Sequence, residues 1–131
     1  MDLLQIESIV TTQLKVRVPK ILNNRYPNIS FTNEINDNTP SFPNVFIQEL
    51  EPSEVGRTIA NDSIHAFRDT IQIIVSTNVS KSEAKAVANA CVNAMKGLRF
   101  SLVTGPHYVL DNNVHKYFIR TRRIIASGDD F

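Results

Sequence analysis

The chain has no tryptophan, one cysteine and four glycines in 131 residues, and no excess of charge of either sign. Each shortage excludes something. A single cysteine, Cys91, closes no internal disulfide, so the framework of a small secreted domain is excluded and a reducing compartment is expected. Gly56, Gly97, Gly105 and Gly128 are too scattered for a phosphate-cradling loop or a dinucleotide fingerprint. With 14 basic and 13 acidic residues, the formal charge of +1 does not suit a domain whose main task is to neutralise phosphates. No apolar run approaches the roughly 20 residues that span a bilayer. Met1 to Glu7 mixes acids into its apolar residues, so no signal peptide is expected, and the N-x-S triplets at Asn28, Asn61 and Asn78 read as accidental.

What is present suits one soluble domain over residues 1–131, since 42% hydrophobic and 21% charged residues are ordinary globular proportions. From Asp2 to about Leu22, apolar residues at Leu3, Ile6, Val10, Leu14 and Ile21 predict an amphipathic helix. Pro19 is expected to kink it near Val16 to Val18 or to start a second short helix, and the cluster from Asn23 to Asn28 to end it. A short extended piece, Ile29 to Phe31, precedes a polar loop over 32–41, and Phe42 to Leu50 alternates as a strand near the middle of a sheet. A second projecting loop covers 51–62. Ser63 to Thr77 reads as a long strand with one dry face, carrying Phe67, Ile71, Ile73 and Val75.

Ser80-Lys81-Ser82-Glu83 is a capping box, in which the Ser80 hydroxyl accepts from the Glu83 amide and the Glu83 carboxylate reaches back to the Ser80 amide. The helix it opens has Ala84, Val87, Ala88, Cys91, Val92 and Met95 on one face, and Gly97 is expected to stop it in the left-handed conformation. Leu98 to Leu110 is strand-like on both sides of Thr104-Gly105-Pro106, and an Asp111-Asn112-Asn113 turn leads to a last strand over Val114 to Ala126. The order α-β-β-β-α-β-β predicts an α+β fold. Its sheet of four to five strands is expected to be mostly antiparallel, with both helices packed on one face and a flexible tail at 127–131.

Chemistry is sparse. His65, His107 and His115 share no ligand spacing and Cys91 sits on an apolar helix face, so no metal site, cofactor or catalytic residue is expected and the chain does not read as an enzyme. Glu49 and Glu51 have the period-two spacing of a glycosidase pair, but with Glu54 they read better as a solvated strand end. The last strand carries Lys116, Arg120, Arg122 and Arg123 interleaved with Tyr117 and Phe118. Lys116, Phe118, Arg120 and Arg122 share one face, a strip suited to contact with a neighbouring subunit or, as the alternative, to nucleic acid.

Ser41-Phe42-Pro43-Asn44-Val45-Phe46-Ile47-Gln48-Glu49-Leu50 follows an amphipathic helix and leads through a charged loop to a long strand. Met95-Lys96-Gly97-Leu98-Arg99-Phe100 and Tyr117-Phe118-Ile119-Arg120-Thr121-Arg122-Arg123 follow in the second half. In pattern and order, from about Leu3 to Ile125, the chain resembles the tail-terminator and tail-completion proteins of long-tailed, siphovirus-like bacteriophages. The resemblance implies a structural virion protein made in the host bacterial cytoplasm. It implies a homohexameric ring that caps the tail tube, docks to the head-to-tail connector and meets DNA only as it passes through. A connector adaptor or a tail-tube subunit would share much of the pattern. Charge sign then nominates Glu51, Glu54, Arg57 and Asp62 of the loop and Lys116, Arg120 and Arg122 of the strip as subunit contacts.

Overall fold

A computed structural model describes residues 6–33, 41–50, 53–54 and 66–126. The first helix, α1 (Ile6–Ile21), buries Ile6, Val10, Thr11, Leu14 and Val18. Val18 therefore ends the apolar stripe, and Ile21, expected on it, is 42% exposed in the final turn. No second helix begins at Pro19, which lies inside the last turn of α1, where few residues follow whose helical bonds its ring could disturb. Asn23 and Asn24 then close the helix in the left-handed region, at φ 54° and 55°.

Strand β1 (Ser30–Thr32) is followed by β2 (Asn44–Glu49), the two-residue β3 (Ser53–Glu54) and β4 (Ala66–Thr77). Helix α2 (Lys81–Gly97) leads to β5 (Ser101–Asp111) and β6 (Val114–Ala126). The fold is α+β, with a six-stranded sheet in the order β1-β2-β4-β6-β5 and β3 paired to β4 as well. β3 meets β4 at Arg68 and Phe67, just beyond the Glu49↔Ile71 end of the β2 pairing, so β2 and β3 share one lane.

Consecutive order does not decide pairing throughout. β1 runs parallel to β2, with Ser30 beside Asn44, although antiparallel pairing is the simpler expectation for neighbours in sequence. β6 lies between β4 and β5, pairing antiparallel with both. The hairpin between β5 and β6 turns at Asn112 and Asn113, at φ 48° and 63°, the left-handed pair of a type I′ turn.

Ser80 caps α2 as expected, accepting from the Glu83 amide at 3.1 Å. The Glu83 carboxylate instead accepts from the hydroxyl of Thr77 at the end of β4, tying the helix start to the sheet. At the other end, Gly97 is still helical, and the left-handed residue is Arg99, at φ 68°. Phe100 N–H donates to the Met95 carbonyl at 2.9 Å and Arg99 N–H to that of Lys96 at 3.0 Å, a Schellman closure with an arginine where glycine is usual. Leu98 and Phe100 thus belong to the core beside Met95, and β5 starts only at Ser101.

One face of the sheet carries the core. Val45 and Ile47 of β2, Ile71, Ile73 and Val75 of β4, and Tyr117, Ile119 and Ile125 of β6 pack with the apolar faces of α1 and α2. Each fully buried Ile, Val or Leu contributes about 1.5–3 kcal/mol over its exposed state. Alternation then directs the next residue of every strand to the opposite face.

Candidate assembly surface

That opposite face is built from cross-strand rows. Phe46, Ile74 and Phe118 stand side by side on β2, β4 and β6, followed by Gln48, Gln72 and Arg120, then Thr70 and Arg122, then Arg68 and Ile124. No described helix covers them, both helices being engaged on the core face. The face is therefore an apolar row bordered by cations: Arg68, Lys116, Arg120 and Arg122 all project from it. Ile124 is 54% exposed among them.

The strip expected on β6 is real, but its members differ. Lys116 lies 3.6 Å from Asp111 across the hairpin, and Arg120 donates through Nε to Gln72 at 2.9 Å. Arg122 has no side-chain partner among the described residues. Arg123 points the other way. It is buried, and its Nη1 donates to the Leu98 carbonyl at 3.1 Å, at the negatively polarised C-terminus of α2. Of the nominated loop contacts, Glu51, Arg57 and Asp62 lie outside the described residues, and Glu54 is placed only by its backbone pairing in β3.

Where β5 begins, Ser101 pairs with Arg122, and β6 runs on from there to Ala126 without β5 beside it. A cleft of about 400 Å³ opens there, lined by Arg99, Ser101, Arg122, Arg123 and Ile124. Sequence reading missed Arg99 as part of this group. Its left-handed conformation, set by the Schellman closure, places it at the cleft from 23 residues away in sequence, and no local pattern announces that.

Of the three carboxylates expected at a solvated strand end, Glu49 is the one whose side chain is described, and it is not solvated as expected. Glu49 lies on the core side of β2, where its amide donates to Glu7 Oε2 of α1 at 3.1 Å, and Asp69 of β4 is fully buried near it. Burial first, then the neighbouring Glu49 carboxyl and the Glu7 charge, pushes the Asp69 carboxyl up to about 8. Burial likewise raises that of Glu49. Among the described residues the acid partner of Glu49 is thus Asp69, 20 residues on, and Glu51 lies outside them. Alternation hides this: Asp69 occupies a position on the apolar side of β4 that the periodicity assigns to a hydrophobe.

Among the described residues, no group of three or more His, Cys, Asp or Glu side chains is placed to hold a metal ion. His115 Nδ1 lies 2.8 Å from the Tyr108 hydroxyl, and the Tyr108 ring carries Lys81 Nζ 4.4 Å above it, so these groups pin α2 to the hairpin. Cys91 is buried, and burial pushes its thiol up to about 12, which leaves no thiolate for nucleophilic chemistry. No described helix is long and apolar enough to cross a membrane. The fold and this surface define an α+β domain with one sheet face covered by the two described helices and the other not covered by them. Neither a known protein family nor a curated protein matches the sequence.

Proposed function

We propose that this chain is a structural virion protein of the tail-terminator type, assembling into a ring that caps a phage tail tube and docks to the head-to-tail connector. The observation that carries the reading is the sheet face that no described helix covers. It joins an apolar row, Phe46, Ile74 and Phe118, to the cations Arg68, Lys116, Arg120 and Arg122, the composition of a surface that meets another protein. A ring also requires two unlike surfaces on each subunit. The sheet supplies unlike edges, the three-residue β1 on one side and the eleven-residue β5 on the other. The loop residues Glu51, Glu54 and Asp62 are the acids proposed to face the strip of a neighbour, with Arg57 among them.

Size-exclusion chromatography with light scattering, at low and high salt and with tail tubes added, tests this reading. Rings by electron microscopy on the tube ends are expected. A monomer at every concentration that leaves tube length unchanged ends the proposal.

The same cations favour one second reading, a nucleic-acid-binding surface with Phe118 as a stacking platform. It requires salt-dependent binding of an oligonucleotide that weakens in Arg120→Ala and Arg122→Ala. Absence of binding at low salt removes it.

A further inference from the structure

We infer that the cleft at the start of β5 is a receptor for an acidic peptide segment carrying an aromatic residue, and that its occupant is the segment Ser127-Gly128-Asp129-Asp130-Phe131 of a second copy of this chain. The inference rests on the assembly reading and names the contact.

The cleft has the chemistry for it. Arg99 and Arg122 both line it, and among the described residues neither guanidinium has an ion-pair or hydrogen-bond partner. Lys116 and Arg120, by contrast, are engaged by Asp111 and Gln72. Two guanidinium groups lining one cleft with no acid beside them among the described residues are each matched in geometry to a carboxylate. The Ser101 hydroxyl adds a hydrogen-bonding group, and Ile124 adds apolar wall. About 400 Å³ is more than a single anion fills, and suits a few residues of extended chain.

The proposed segment matches side by side, with consecutive acids Asp129 and Asp130 for the two arginines and Phe131 for the apolar wall. The acids nominated in the 51–62 loop, spaced three and eight residues apart, do not offer such a pair. Position favours exchange between copies. Ala126 ends β6 four residues beyond Arg122, so the segment departs from the same end of the molecule that carries the cleft. In a cyclic ring, equivalent points of all copies lie at one height along the axis, which brings each segment level with its neighbour's cleft. Five extended residues reach roughly 17 Å.

A charge swap in the full chain tests the contact. Arg122→Glu and the double variant Asp129→Lys/Asp130→Lys are each expected to weaken self-association at least tenfold by sedimentation velocity. An equimolar mixture is expected to restore it, because each receptive cleft then meets a complementary segment. Circular dichroism confirms that both variants fold.

Two outcomes overturn the inference while leaving ring assembly standing: association like wild type in either variant, or loss in both with no rescue on mixing. A wild-type chain that stays monomeric at all concentrations and on tail tubes overturns both readings. So does a 12-nucleotide single strand that binds wild type at least tenfold more tightly than Arg122→Glu while self-association ignores the acids, since the cleft then serves phosphate.

Discussion

Arg99 holds a backbone conformation that costs an ordinary residue roughly 1–2 kcal/mol and glycine nothing, while the flexibility of glycine costs back about 0.5–1 kcal/mol. Its φ of 68° is imposed by the Schellman closure of α2. Arg99→Gly is therefore expected to stabilise the fold by about 0.5 kcal/mol in a urea titration, and in the same protein to weaken any association that uses the cleft. A residue kept for local folding alone gives no such opposition. Cys91 is the reverse case, a side chain with only a packing role. Cys91→Ser places a hydroxyl on the apolar face of α2 and is expected to cost about 1–3 kcal/mol, and native Cys91 is expected not to react with a thiol reagent. Rapid labelling of the folded protein would contradict its burial. The burial of Cys91 was legible from the spacing of Ala84, Val87, Ala88 and Met95. The role of Arg99 was not, because Gly97 stood two residues earlier and satisfied the usual rule for a helix stop.

At the scale of elements, β5 is the strand whose sequence is least like a strand. It passes through Gly105 and Pro106, and the pairing with β6 slips between Leu102 and Thr104 and again between Thr104 and His107. Gly105 sits at φ 90°, and a Cβ there would lie 2.3 Å from the Phe118 carbonyl oxygen. Gly105→Ala is expected to destabilise the protein by about 3 kcal/mol, since backbone rather than a pliable side chain must give way. Amide exchange is expected to show the loss first in the β5–β6 hairpin; equal protection in wild type and variant would sink this account. The proline and glycine made 98–110 read as two strand-like pieces. One strand results because slipped pairing absorbs the irregular residues at the edge of the sheet, where each has one neighbouring strand to satisfy.

At the scale of the whole molecule, the described charges differ between the two faces of the sheet. The outer face carries Arg68, Lys116, Arg120 and Arg122, while Glu7, Glu49 and Asp69 converge on the core side from α1, β2 and β4, with Arg123 of β6 opposite Asp69 in register. Stability should therefore depend on pH. Below about pH 4 the folded and unfolded chains both hold the Asp69 proton. Between there and about 8 the folded chain keeps it and the unfolded chain has lost it, so stability falls as pH rises across that window. Asp69→Asn is expected to raise the melting temperature at pH 7.5 and to change it little at pH 4. An Asn variant whose melting temperature falls with pH as steeply as that of wild type would count against a proton held at Asp69.

The sequence by itself determined the elements and which side of each is apolar. The Ser80 cap, the Asn112-Asn113 turn, the dry face of β4 and the shared face of Lys116, Phe118, Arg120 and Arg122 all follow from neighbours within a few residues, where backbone sterics and periodicity act. Tertiary structure alone decided which distant groups meet. It set β6 between β4 and β5, ran β1 parallel to β2, gathered Glu7, Glu49 and Asp69, and opened one cleft between Arg99 and Arg122. Those choices are made when apolar faces compete for burial against one another, a competition of the whole chain that no short stretch of residues contains.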